Sequence, residues 1–152
     1  MSDTTDVGAT PENPIDNQKD WVLAEITEYL ATDGRLPKPA HNNPLLLLTT
    51  QGRKSGQWYR TCLIFGEDAA GRCVIVASKG GADRHPAWYL NLTANPNVRV
   101  QVYGDVFDAR AITAGPGEAP ALWDMMVEQY PTYADYKGRT DREIPLVILE
   151  RL

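Results

Sequence analysis

Four consecutive leucines, Leu45-Leu46-Leu47-Leu48, follow Pro44 and lead through Thr49 and Thr50 to Gly52. The run is too short to establish a helix and has no polar face, so it reads as a strand buried on both sides. A chain containing such a strand must supply covering layers for both of its faces. After the strand come a glycine-bounded basic turn, Gly52-Arg53-Lys54-Ser55-Gly56, and two further strand patterns, Gln57–Phe65 and Arg72–Ala77. These two read as a hairpin closed around Gly66–Gly71, which would put Cys62 and Cys73 on one face.

The remaining elements are short. Val22, Ile26, Tyr29 and Leu30 form a helical stripe from about Asp20, with Trp21 on its flank, Asn17 or Asp20 as cap and Gly34 as stop. Residues 35–43 are a proline-containing linker that includes His41. Trp88-Tyr89-Leu90-Asn91-Leu92 is a short helix, and Asn97–Tyr103 alternates with Val98, Val100 and Val102 inward. A strand near Val106–Ala114, a helix from about Gly117 to Tyr130, a turn or helix at Thr132–Lys137 and a strand at Ile144–Leu149 complete the chain. Short strands with few helices predict a mainly β (α+β) fold, a closed or split β-barrel with an N-terminal helix and peripheral helices. Residues 1–17 read as an acidic, disordered leader and 18–152 as one domain.

Charge is unevenly placed. The whole chain carries −5, but residues 1–34 hold eight acids against Lys19 alone, which leaves the remainder at +2. Bulk acidity argues against nucleic acid, while a local basic site for a small anion stays open. Two cysteines without a CxxC or a Cys/His cluster support neither a zinc site nor a disulfide framework, and they read as core residues. No apolar run is long enough to span a membrane and no signal peptide is visible, which places the protein in the cytoplasm. The amphipathic first helix offers a peripheral contact with the inner face of the cell membrane, although anionic lipid would repel its acidic polar face.

Two loops carry the strongest chemical signal. Arg53 and Lys54 are adjacent cations at a tight turn, and Ser78-Lys79-Gly80-Gly81 repeats that chemistry at another strand end. Glycines let backbone N–H groups approach a phosphate and lysine adds a point charge. Neither loop matches a Walker A or Rossmann fingerprint. Trp88 is placed to wall a planar ligand. His85 lacks a second titratable partner at a suitable spacing, which leaves it without a catalytic assignment. Tyr130, Tyr133 and Tyr136 recur every three residues on one side of a helical segment, offering apolar faces and O–H donors to an aromatic substrate.

Three runs arriving in order, LLLLTTQGRKSG, VASKGGADRHPAWYLNLTANPNVRVQV and YPTYADYKGRTDREIPLVILE, resemble the deazaflavin (F420)-dependent nitroreductase family of actinobacteria over about residues 20–151. That resemblance implies an FMN-binding-like split β-barrel holding F420 and reducing quinones, nitro compounds, nitroimidazoles or activated alkenes. It further implies that Arg53, Lys54 and Lys79 hold the phosphate and acidic tail, with Arg60 also among the cofactor-binding residues. Ala77, Ser78, Gly80 and Trp88 would follow the deazaflavin. Tyr130, Tyr133 and Tyr136 would face the acceptor, with Ser78, a tyrosine or water assisting protonation. Two positions depart from the pattern: Arg60 falls one place late, which in a strand turns it to the other face, and Phe65 stands where a tyrosine is common. An FMN-dependent barrel and a non-catalytic F420- or lipid-binding barrel are the alternatives, and a monomer or weak homodimer is expected.

Overall fold

The computed structural model describes residues 8–35 and 43–152; most of the linker, with His41, lies outside them. The elements are β1 (Ile15–Asp16), α1 (Asp20–Thr32), β2 (Leu45–Gln51), β3 (Trp58–Ile64), β4 (Gly66–Glu67) and β5 (Cys73–Val76). A single 3-10 turn (Lys79–Gly81) leads to α2 (Ala87–Ala94), β6 (Asn97–Val102), β7 (Asp105–Thr113), α3 (Ala119–Gln129), α4 (Thr132–Lys137) and β8 (Leu146–Arg151). The strands form one eight-stranded sheet in the order β1-β3-β2-β6-β7-β8-β5-β4.

The leucine run explains how the sheet is covered. Leu46 and Leu48 join Ile75, Val98, Val100, Ala111 and Val147 in the barrel interior. Leu45 and Leu47, on the opposite face, pack beneath Val22, Ile26 and Tyr29 of α1. The same division holds on β5, where Ile75 points inward while Val74 and Val76 lie under Leu122 and Met126 of α3. Both helices are therefore outer covers, one over β2 and β3, the other over β5 and β8. The β6–β7 hairpin turns at Tyr103, whose left-handed φ of 55° is held by its N–H donating to the Tyr29 hydroxyl at 2.7 Å. Burial pushes that phenol up to about 12.

The sheet curls until the Cα atoms of β3 and β5 approach within 8 Å, yet no ladder joins those two strands among the described residues. The barrel is split there. The hairpin expected from Gln57–Phe65 and Arg72–Ala77 survives only at its turn end, where β4 pairs antiparallel with β5, Gly66 opposite Val74. β3 itself pairs with β2, with Leu47 opposite Cys62, while β5 pairs on its other side with β8, with Ile75 opposite Val147. A side chain at Gly66 would meet Met126 Sδ at 2.6 Å. Cys62 consequently faces α1 and Cys73 borders the interior; both thiols are free.

Residues 8–17 also depart from the expected loose leader. Ile15–Asp16 runs parallel to β3, and Asp16 receives Arg60 Nε at 2.6 Å and Nη2 at 3.1 Å. An exposed edge strand and a strand-borne cation are what hold this acidic segment in place.

Candidate functional site

A cavity of about 880 Å³ lies along the split, outside the barrel interior. Its lining includes Trp21, Val22 and Glu25 of α1, Tyr130, Tyr133 and Tyr136 in and just before α4, and Cys62, Ile64 and Val76 of β3 and β5. The two basic loops line it as well, and α4 packs against the second of them. Arg53, Lys54 and Ser55 come from the β2–β3 connection, and Ser78, Lys79 and Gly80 come from the segment after β5. Lys54 and Lys79 thus line one cavity, although 25 positions separate them in the chain.

The first loop is closed by Gly52 N–H donating to Gln57 O at 2.6 Å and Gly56 N–H to Gly52 O at 2.9 Å. Asn91 of α2, only 6% exposed, accepts from both the Arg53 N–H and its guanidinium. In the second loop Ser78 is right-handed, while Lys79 and Gly80 take φ of 45° and 62°. That succession turns consecutive N–H groups toward one side, an arrangement suited to an anion. None of the ion pairs among the described residues uses Lys54 or Lys79. Their charge is available to a ligand. Arg60 borders the same cavity, but its charge is paired with Asp16.

The tyrosine wall is built by packing. Tyr130 and Tyr133 meet edge to face at 4.9 Å, and Tyr133 and Tyr136 lie 6.3 Å apart. Burial raises the Tyr133 phenol, and a hydrogen bond to Tyr130, then burial, raises Tyr136, so both remain donors at neutral pH. Burial, then the neighbouring Glu25 carboxylate, raises the Cys62 thiol, which is therefore not a reactive thiolate. Trp88 lines the cavity edge, T-shaped on Tyr89 at 6.3 Å. Ala77 and Phe65 lie in the barrel interior, so neither side chain reaches the cavity. No group of three or more His, Cys, Asp or Glu among the described residues could hold a metal ion.

The cavity combines cations from two loops with three tyrosine rings. Residues 21–151 match the model of the F420H(2)-dependent quinone reductase family. The chain belongs to that family. It is 39% identical over 127 residues to an F420H(2)-dependent quinone reductase of Mycobacterium tuberculosis, covering 81% of this chain and 85% of that one. Among solved structures, an F420-H2 dependent reductase, FDR-A, superposes with a TM-score of 0.64 at 44% identity, covering 70% of this chain and 94% of the other. A second, described as a domain-swapped dimer, gives 0.66 at 40% identity over 86% and 98%. As a member of this quinone reductase family the chain is an oxidoreductase, and no helix among the described residues is long and apolar enough to cross a membrane.

Three parts of this cavity and its supports were not singled out in the sequence. Val22 and Trp21 read only as a helix stripe and its flank, and Glu25 only as one of the acids of residues 1–34. Asn91 looked like one polar residue in an apolar run, although a buried amide in that setting signals a fixed partner. The third, Arg142, lies behind the second basic loop.

Proposed function

We propose that this chain binds F420 and uses it to reduce a quinone. The observation that carries the proposal is the convergence of Lys54 and Lys79, from two separate loops, on one cavity that Tyr130, Tyr133 and Tyr136 also line. The donor set fits the group. Arg53, Lys54 and Lys79 would hold a phosphate and acidic tail, the backbone from Ala77 to Gly80 would run beside the ribityl chain, and Trp88 would edge the ring. Bound in its reduced form, F420 supplies a hydride. The protein's part is to hold donor and acceptor rings together, exclude water and present a proton. Tyr133 and Tyr136, kept as phenols, would hydrogen-bond the acceptor oxygen, with Ser78 or a tyrosine relaying the proton. Arg60, paired to Asp16, would border the tail rather than carry it.

Electron-poor nitro compounds, nitroimidazoles and activated alkenes would enter beside the same tyrosines. The reading places the protein in the cytoplasm as a monomer or weak homodimer. Trp21, 63% exposed at the cavity wall, supports a peripheral contact with the membrane face where apolar quinones reside. The test is to titrate the purified chain with F420 and with FMN, then follow oxidation of reduced F420 by menadione. Saturable F420 binding and turnover are expected; preferential binding of FMN would overturn the cofactor assignment.

A further inference from the structure

The turn that carries Lys79 is held from behind by a side chain outside the cavity lining. Arg142, between α4 and β8, donates from Nη2 to Ser78 O at 2.6 Å, from Nη1 to Ala77 O at 3.1 Å and from Nε to Ala82 O at 2.7 Å. Its Nη1 is also 3.2 Å from His85 Nδ1. One planar guanidinium thereby grips the chain on both sides of the Ser78–Gly81 turn, a task that a lysine's point charge cannot perform. Arg142 is itself anchored: its N–H donates to Thr140 Oγ1 at 3.2 Å, and the Thr140 hydroxyl donates to Asp83 Oδ1 at 3.2 Å.

The backbone held by this grip is an unfavourable one. Lys79 has a Cβ and a left-handed φ, a combination that persists only where its surroundings enforce it. The Ala77 and Ser78 carbonyls are drawn toward Arg142, Ser78 O also accepts the Gly81 N–H at 2.9 Å, and Lys79 and Gly80 between them line the cavity. From another side α4 closes on the turn, where a Cβ on Gly81 would sit 2.5 Å from Tyr136 O.

We propose that Arg142 is a positioning residue for the anionic tail of the cofactor. It keeps the Ser78–Gly81 turn in its anion-accepting shape without touching the ligand. This rests on the F420 assignment above. The experiment compares Arg142→Lys with the unmodified chain by fluorescence titration, without turnover. Two ligands are used: F420, and the same deazaflavin chromophore truncated before its phosphate. The expected result is a Kd for F420 raised about tenfold, or about 1.4 kcal/mol, with the truncated compound unchanged within twofold. Equal weakening of both ligands, or of neither, overturns the proposal, because a general prop of the fold would not distinguish them. Thr140→Val loosens the same anchor more gently and should shift the same ratio two- to threefold; an unmoved ratio in that folded variant also overturns it. Failure of the unmodified chain to bind F420 takes down the cofactor assignment and this proposal together, whereas normal binding with an unmoved ratio takes down this proposal alone.

Discussion

Asn91 Oδ1 accepts two hydrogen bonds from a single residue, the Arg53 N–H at 3.2 Å and the Arg53 guanidinium Nη1 at 2.9 Å. The pair ties α2 to the first basic loop, and Asn91 Nδ2 lies 3.5 Å from Thr50 Oγ1 at the end of β2. Replacing Asn91 by Leu would strand donors in a buried setting, so a stability loss of about 1–3 kcal/mol is expected along with weaker cofactor binding. Asn91→Asp should separate the two effects. Its carboxylate keeps the Arg53 contacts and the melting temperature but neutralises the cation, so F420 affinity falls. Thermal melts and titrations on both variants check this, and an Asp variant binding F420 as tightly as the parent would refute it.

The two lysines are placed to act on one anion. Lys54→Ala and Lys79→Ala should each weaken F420 binding, and the double variant should also lose most of its salt dependence, since ionic screening acts on the charges removed. Titration at low and high ionic strength reads this directly. An unchanged affinity in the double variant would remove the charge-based account of the site.

Tyr133 is 5% exposed and kept protonated by burial. Tyr133→Phe deletes one donor while leaving the ring contacts with Tyr130 and Tyr136. Turnover with menadione should fall about tenfold or more while the F420 Kd stays within twofold. Equal turnover across several acceptors would show that the phenol is packing alone.

His85 gives a pH dependence whose sign is fixed by its surroundings. Burial, then the Arg142 charge, hold it below its ordinary value of 6.5. The unfolded chain therefore takes up a proton that the folded chain resists. Stability should be full above about pH 6.5 and decline as the pH drops from there through the lower folded value. Melting temperatures between pH 5 and 8 should show this slope in the parent and a flatter one in His85→Gln. Parallel slopes would remove His85 as its source.

The parts of the fold that rest on local burial patterns were legible from residues alone. Four leucines with no polar face required two covering layers, and Val98, Val100 and Val102 announced a strand with one inward side. The expected hairpin is over-extended for a physical reason. Only the short β4, Gly66–Glu67, pairs locally with β5, whereas the longer ladder of β5 runs to β8, some seventy residues later, a pairing that leaves no local signal. Charge and glycine spacing marked the two basic loops, and the tyrosine period marked the aromatic part of the lining. Arg142 was invisible for the converse reason. Its partners are mostly backbone carbonyls, which every residue owns, so no side-chain pattern in the sequence betrays the contact.

The missing ladder between β3 and β5 has a consequence for how such proteins diversify. Strand positions elsewhere in the sheet are answerable to hydrogen-bonded neighbours, so a bulky change there disturbs pairing as well as packing. Cys62, Ile64 and Val76 keep ladder partners on one side, Leu47, Leu45 and Leu146, and face the gap on the other. Substitutions there would alter the cavity they line, within the limits set by those pairings and by the covering helices α1 and α3.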